Sequence, residues 1–179
     1  MESLRGRLLI ASPALVDPNF HRSVVLVVQH DDESAMGIVL NRPSEATVGE
    51  AMPQLAELVE AGDVVHVGGP VQRGAVVVLA EWDDAEQAAL LVFERVGFMG
   101  ADADATAVAG ATVRARVFAG YAGWGEGQLE AEIEEGSWIV VDARADDVFA
   151  GRDAFASIVR RRGPRYRLLA LMPEDPSLN

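Results

Sequence analysis

Apolar residues along the chain come in short runs, broken by polar or glycine-rich segments at intervals typical of a sheet protein. Residues 4–12 (LRGRLLIAS) read as a first strand. Ser12-Pro13 ends it, because a residue before proline disfavours helix and proline cannot donate to a ladder. Residues 24–30 (VVLVVQH) are the continuous β-branched run of a buried strand. The polar turn HDDESAMG leads into a strand at 37–41, which predicts an antiparallel hairpin. Residues 63–69 and 74–82 form two more strands around the turn Gly68-Gly69-Pro70. Residues 112–119 alternate strictly, with Val113, Ala115, Val117 and Ala119 on one face and Arg114, Arg116 and Phe118 on the other. Residues 137–143 (SWIVVDA) give a last strand.

Helical periodicity is rarer. Thr47 followed by Glu50 is a capping box, Leu55, Leu58 and Val59 fall at helical spacing, and Gly62 supplies a stop. Residues 83–111 carry two signals. AEQAALLVFERV has helical propensity, but Gly97 and Gly100 interrupt it and favour strands near 89–94 and 96–100, then a short helix near 103–109. Short helices are also expected at about 127–135 and at 153–162, the latter with arginines in its last turn and Gly163 closing it. Hairpins outnumber strand–helix–strand units, so the expected fold is α+β, one domain over residues 1–179, with a mostly antiparallel sheet and short flanking helices.

Composition narrows the function. Half of the 179 residues are apolar, enough for a real core, and cysteine is absent, which excludes disulfides and thiol chemistry in this chain. No window approaches the ~18 apolar residues of a membrane helix, so a soluble, cytoplasmic protein with no membrane partner is expected. The net charge is −13, and every cation but histidine is arginine. Residues 160–179 hold five arginines against Glu174 and Asp175, a local +3 that leaves −16 on the rest. A body that acidic repels phosphate backbones, so direct nucleic-acid binding would depend on the arginines at 160–167 alone.

The densest pattern is GYAGWGEGQLEAEI at 120–133. A strand, a glycine loop and a helix start form a generic anion cradle. The glycines at 120, 123, 125 and 127 permit close backbone approach. The spacing is neither G-x-G-x-x-G nor a P-loop, and the glutamates that follow would repel phosphate. Two readings stay open: a tight corner with Trp124 packed on the sheet, or a ligand site in which Gln128 and Glu130 are the polar groups. Asn41-Arg42-Pro43 follows a strand end, where Arg42 suits a carboxylate or phosphate, or one of the chain's own acids. Asp17, His21 and Ser23 lie within seven residues and resemble triad components. They form no nucleophile elbow, and the simpler reading is a turn capped by Asp17 and anchored by Phe20. His30 before Asp31-Asp32-Glu33 lacks metal-ligand spacing and reads as a hairpin turn, so no metal or cofactor is assigned.

Three segments in order carry a family resemblance: LLIASPALVDPNFHRSVVLVVQHDDESAMGIVLNRP, HVGGPVQ and GYAGWGEGQLEAEIEEGSWIVVDA. Together they resemble the AlgH/YqgE-like family, the UPF0301 or DUF179 proteins, over most of residues 4–143. The resemblance implies an α+β fold whose antiparallel sheet bends toward a pseudo-barrel. It implies no catalytic residues, and it associates some members with transcriptional regulation. The expectation is a non-enzymatic binding or regulatory module that acts through an unknown protein or small-molecule partner. The competing expectation is a metabolite- or nucleotide-binding protein or enzyme. Its candidate site is Asn41, Arg42, Gly68, Gly69, Pro70, Gly120, Gly123, Trp124, Gly125, Gln128 and Glu130, which converge if the sheet bends.

Overall fold

The computed structural model describes residues 2–171 and 173. Glu174 and Asp175, which offset part of the terminal arginine charge, lie outside the described residues. Strand β1 (Arg7–Ala11) lies between β10 (Trp138–Asp142) and β2 (Val24–His30), antiparallel to both. The hairpin of β2 with β3 (Ser34–Val39) forms as the polar turn predicts, with Asp31 Oδ1 accepting from the Glu33 and Ser34 amides. Those hydrogen bonds, with one from Gln29 first among them, hold the Asp31 carboxyl below its usual range.

The sheet order is β10-β1-β2-β3-β9-β6-β8-β7, where β6 is Val71–Trp82, β7 Leu90–Phe93, β8 Val96–Phe98 and β9 Thr112–Gly125. Residues 83–111 thus resolve as strands followed by a helix, α2 (Ala105–Ala109), capped by Asp104. Strand β4 (Pro43–Thr47) pairs with β5 (Val64–Val67), and β5 runs parallel to β9. Neither β4 nor the parallel pair was legible in sequence. P-S-E-A-T has no apolar alternation to mark it as a strand.

Two expectations are corrected. The helix expected after Thr47 is a single turn, α1 (Val48–Ala51), followed by a 3-10 segment, Pro53–Leu58. Only half of the capping box forms: Thr47 Oγ1 accepts from the Glu50 amide, but the Glu50 carboxylate takes the Thr47 hydroxyl rather than its backbone amide. Met52 precedes a proline and leaves helical geometry, so the α-helix stops there. The glycine stretch is strand rather than loop as far as Gly125: β9 pairs through 122–125 with β3 and through 112–119 with β6. Only Glu126 and Gly127 remain between β9 and α3 (Gln128–Glu134).

The sheet bends where β9 changes partners. Gly120 sits there with φ of 79°, and the register against β6 slips between Val71 and Val76. The sheet is not closed into a barrel. Its far edge does curl back to the start of the chain: the Arg5 guanidinium donates to the Leu91 carbonyl, and Gly6 lies against Phe93.

Both faces of the central strands are covered, which explains their unbroken apolar runs. Leu8, Ile10, Leu26 and Ile38 pack with Phe118 and with Phe155 and Ile158 of α5 (Ala154–Arg161), which follows α4 (Ala145–Phe149). Leu9, Val25, Val27 and Val39 pack on the other face with Trp124, Trp138 and Leu129 of α3. A third cluster joins Val78, Trp82 and Val117 to α1 and α2. No helix among the described residues is long and apolar enough to cross a membrane.

Candidate functional site

The bend divides the sequence-derived candidates into two groups. Asn41, Arg42, Gly68, Gly69 and Gly120 do converge. The Val67 amide donates to the Arg42 carbonyl at 2.8 Å, the Gly68 amide to Ala119 at 2.8 Å, and the Val39 amide to Gly68 at 2.7 Å. Pro70 completes the turn beside them. Gly123, Trp124, Gly125, Gln128 and Glu130 lie at the other end of β3, because Trp124 pairs with Ala35. Asn41 is six residues further along, about 20 Å at strand rise.

Each end has its own chemistry. At the tryptophan end the polar groups satisfy one another. Glu132 Oε2 accepts from Trp124 Nε1 at 2.9 Å and Trp138 Nε1 at 2.8 Å, while its Oε1 accepts from Gln128 Nε2 at 2.9 Å. Gln128 Oε1 accepts from the Gly125 amide at 3.1 Å. Phe20 stacks on Trp124 and meets Trp138 edge-on, so the 17–23 loop is anchored as its turn chemistry predicts. His30 Nδ1 accepts from the Leu4 amide, which leaves Nε2 to donate to Glu130 Oε1 at 2.6 Å. The Glu130 carboxyl is held below its usual range, first by its own backbone amide and then by His30.

The Arg42 end is open. A pocket of about 450 Å³ is lined by His21, Arg22, Asn41, Arg42, Arg152 and Phe155, with Pro18 and Pro43 at its edge. Among the described residues three guanidinium groups line it and no carboxylate does, on a chain of net charge −13. Asn41 clasps the entry to β2: its Oδ1 accepts from the Val24 amide and its Nδ2 donates to the Arg22 carbonyl, both at 2.9 Å. Arg42 Nη2 donates to the His21 carbonyl at 2.9 Å, and Nη1 to Pro18 at 3.4 Å. Burial pushes the Arg42 guanidinium below its ordinary range, and Asp17 offsets this only in part. Among the described residues Arg42 has no carboxylate within ion-pair distance. Arg22 has φ of 55°, a strained backbone for this residue type, and its guanidinium lies 4.7 Å over the Phe155 ring. His21 Nε2 donates to the Pro173 carbonyl, which places Pro173 beside the pocket.

Sequence reading singled out Arg42 and Asn41 here but assigned His21 and Arg22 to a turn and missed Arg152. No local pattern marks Arg152. It reaches the pocket because a 3-10 turn, Gly151–Asp153, joins α4 to α5 at this edge of the sheet.

Behind the pocket, β4 pairs Pro43 with His66, a histidine only 5% exposed. His66 Nδ1 donates to the Val64 carbonyl, so in the neutral ring Nε2 carries a lone pair. Both Nε2 and Arg116 Nη1 crowd Gly151, and Arg116 Nη1 is buried without a hydrogen-bond partner among the described residues. Burial first, and then the Arg116 charge, lower the His66 pKa from 6.5 to about 4. The unfolded chain therefore takes up a proton near pH 6.5 that the folded chain refuses until about pH 4. The stability tied to neutral His66 is complete above that window and is lost as pH falls through it, by up to about 3 kcal/mol. Urea unfolding of the parent and His66→Gln across this range checks it. The parent's advantage should shrink as pH falls, and a constant difference would refute it.

Three of the five arginines at 160–167 are turned to internal tasks. Arg160 Nε donates to the Ala156 carbonyl, Arg161 pairs with Asp147, and Arg162 stacks 5.1 Å from the Tyr166 ring.

Comparison with known proteins places this geometry. The AlgH-like family model, DUF179, matches residues 8–167. A UPF0301 protein of Thermobifida fusca is 42% identical, with 99% of this chain and 96% of the relative covered. A UPF0301 protein of Streptomyces coelicolor is likewise 42% identical, with 100% and 97% covered. The crystal structure of protein DIP2367 from Corynebacterium diphtheriae superposes with a TM-score of 0.86 at 28% identity, covering 94% of this chain and 91% of that one. The solution structure of AlgH from Pseudomonas aeruginosa superposes at 0.74 with 30% identity, covering 97% and 96%. On the family match over most of its length and these full-length relatives, the chain belongs to the AlgH-like, UPF0301 family.

Proposed function

We propose that this protein is a non-enzymatic binding module that captures a phosphate- or carboxylate-bearing small ligand in the pocket lined by Arg22, Arg42 and Arg152. One observation carries this reading: Arg42, whose guanidinium donates to the Pro18 and His21 carbonyls and has no carboxylate within ion-pair distance among the described residues, shares a pocket with the exposed Arg152 on a strongly acidic chain. Planar guanidinium donors suit both kinds of oxyanion, and the surrounding negative field selects against ligands too large to sit inside the pocket. The hydroxyls nearest to a triad pattern favour binding over catalysis. Ser23 Oγ donates to the Phe20 carbonyl and Ser12 Oγ to Gly136, so each proton is spent on backbone. Any effect on transcription then runs through the ligand or a protein partner. Duplex contact at 160–167 is disfavoured because three of those arginines already have partners.

The test is a thermal-shift panel of inorganic phosphate, pyrophosphate, nucleoside diphosphates and citrate. A ligand of the folded state adds about 2.7 kcal/mol at a hundredfold excess over its dissociation constant. Arg152 is exposed, so Arg152→Gln should leave the ligand-free midpoint unchanged and remove most of the shift. Shifts that survive in Arg152→Gln and Arg42→Gln, or a panel with no stabilising anion, would refute the site.

A further inference from the structure

A second cleft lies on the opposite limb of the bent sheet, away from the arginine pocket. Its volume is about 840 Å³, within the range of small-molecule sites. Its floor is Val77, Val78 and Phe98 of the sheet, and its wall is the 3-10 segment with Leu55. Met36, Met52 and Met99 all line it, and such unbranched thioethers adapt to flexible apolar shapes. At the mouth, Val76 is 40% and Leu90 44% exposed.

Among the described residues the only charged side chains lining the cleft are acidic, Glu57 and Asp104. Glu57 Oε2 accepts from Thr106 Oγ1 at 2.6 Å, and Asp104 Oδ1 accepts from the Ala107 amide at 2.9 Å. The second oxygen of each carboxylate has no hydrogen bond among the described residues. We propose that this cleft binds a small amphiphile with an alkyl body and a cationic, amine-type head. The alkyl part lies among the methionines, and the head sits between Glu57 and Asp104. Charge complementarity decides the class: an anionic amphiphile of the same length would meet two carboxylates and no cation in the cleft.

The experiment is calorimetric titration with decyltrimethylammonium and with decyl sulfate, both below their micelle concentrations. The expected result is one saturable site for the ammonium, at least about tenfold tighter than any site for the sulfate. Ala101 lines the cleft but is exposed, so Ala101→Trp fills the space without disturbing the core. It should weaken ammonium binding by about tenfold or more. Glu57→Gln should weaken it several-fold, whereas Glu45→Gln, an equal charge change at an exposed position outside the cleft, should not. Equal binding of the two head groups, or ammonium binding indifferent to Ala101→Trp, overturns the proposal. So does an equal effect of the two glutamate substitutions, which would mean diffuse attraction to an acidic surface. Thermal unfolding of each variant confirms that the protein titrated is folded.

Discussion

Replacing Gly69 with alanine is expected to leave little folded protein. Gly68 and Gly69 cross directly over Gly120 and Tyr121 where β9 changes partners, backbone against backbone. A Cβ on Gly69 would lie 2.1 Å from the Tyr121 carbonyl carbon and 2.2 Å from its oxygen, and Gly69 has φ of 153°. The obstacle is main chain held in the ladders of β3 and β6, so no rotamer change relieves it. Backbone strain of about 1–3 kcal/mol adds to overpacking of about 1–3 kcal/mol or more, against a total stability of about 5–15 kcal/mol. Gly125→Ala is the control within the other glycine segment. No atom lies within 4 Å of the position its methyl would take and its φ is ordinary for an L-residue, so its midpoint should move little. Circular dichroism melts of both variants make the comparison, and a Gly69→Ala melt matching the parent would refute the crossing as a steric requirement.

Asp147→Ala is the second large loss. Asp147 is 3% exposed and receives Arg161 through both oxygens, at 2.7 and 2.8 Å, while Oδ2 also accepts from the Arg144 amide at 2.9 Å. One carboxylate thus starts α4 and ties it to the last turn of α5. That hydrogen bond also raises the Arg161 pKa above its ordinary value. Removing the acid strands a partly buried guanidinium and an uncapped amide. The expected cost is about 3 kcal/mol, at the lower end for a broken buried pair because Arg161 retains some water contact. Asp147→Ala with Arg161→Leu should recover part of it, since apolar replacement of both partners removes the stranded charge. Urea midpoints of the two singles and the double give the coupling. A double variant as unstable as the sum of its singles would show that the pair is not the source of the loss.

The glycine stretch shows how far local pattern carries. A helix beginning just after the glycines was legible, and of the two readings left open for Trp124 the structure has the packed one, with Leu129 in the core below it. Glu132 is the acceptor for two indoles, one of them fourteen residues beyond Trp124, yet in sequence it was one glutamate among several. Gly120 and Gly123 looked alike in the sequence. In the structure Gly120 faces the Gly69 carbonyl at a contact too close for any side chain, while Gly123 meets only the Tyr121 ring at ordinary distance. Such differences depend on which strand passes opposite, and no periodicity encodes that.

Much of the architecture was determined by the sequence itself. β-branched runs can be satisfied only as strands with both faces covered, and the polar turns between them make hairpins the shortest connection. The α+β class and the strands at 24–30, 74–82 and 137–143 follow from that physics, and the short helices near 103–109 and at 153–162 were expected from helical spacing. Tertiary structure decided where the chain crosses itself. It made β9 one strand shared by two limbs, put Pro43 beside His66, and brought Arg152 to Arg42 across more than a hundred residues of chain. Those placements depend on long-range backbone pairing and on close approach between glycines. The free energy of both lies in contacts between distant segments, which leave no signature in either segment alone.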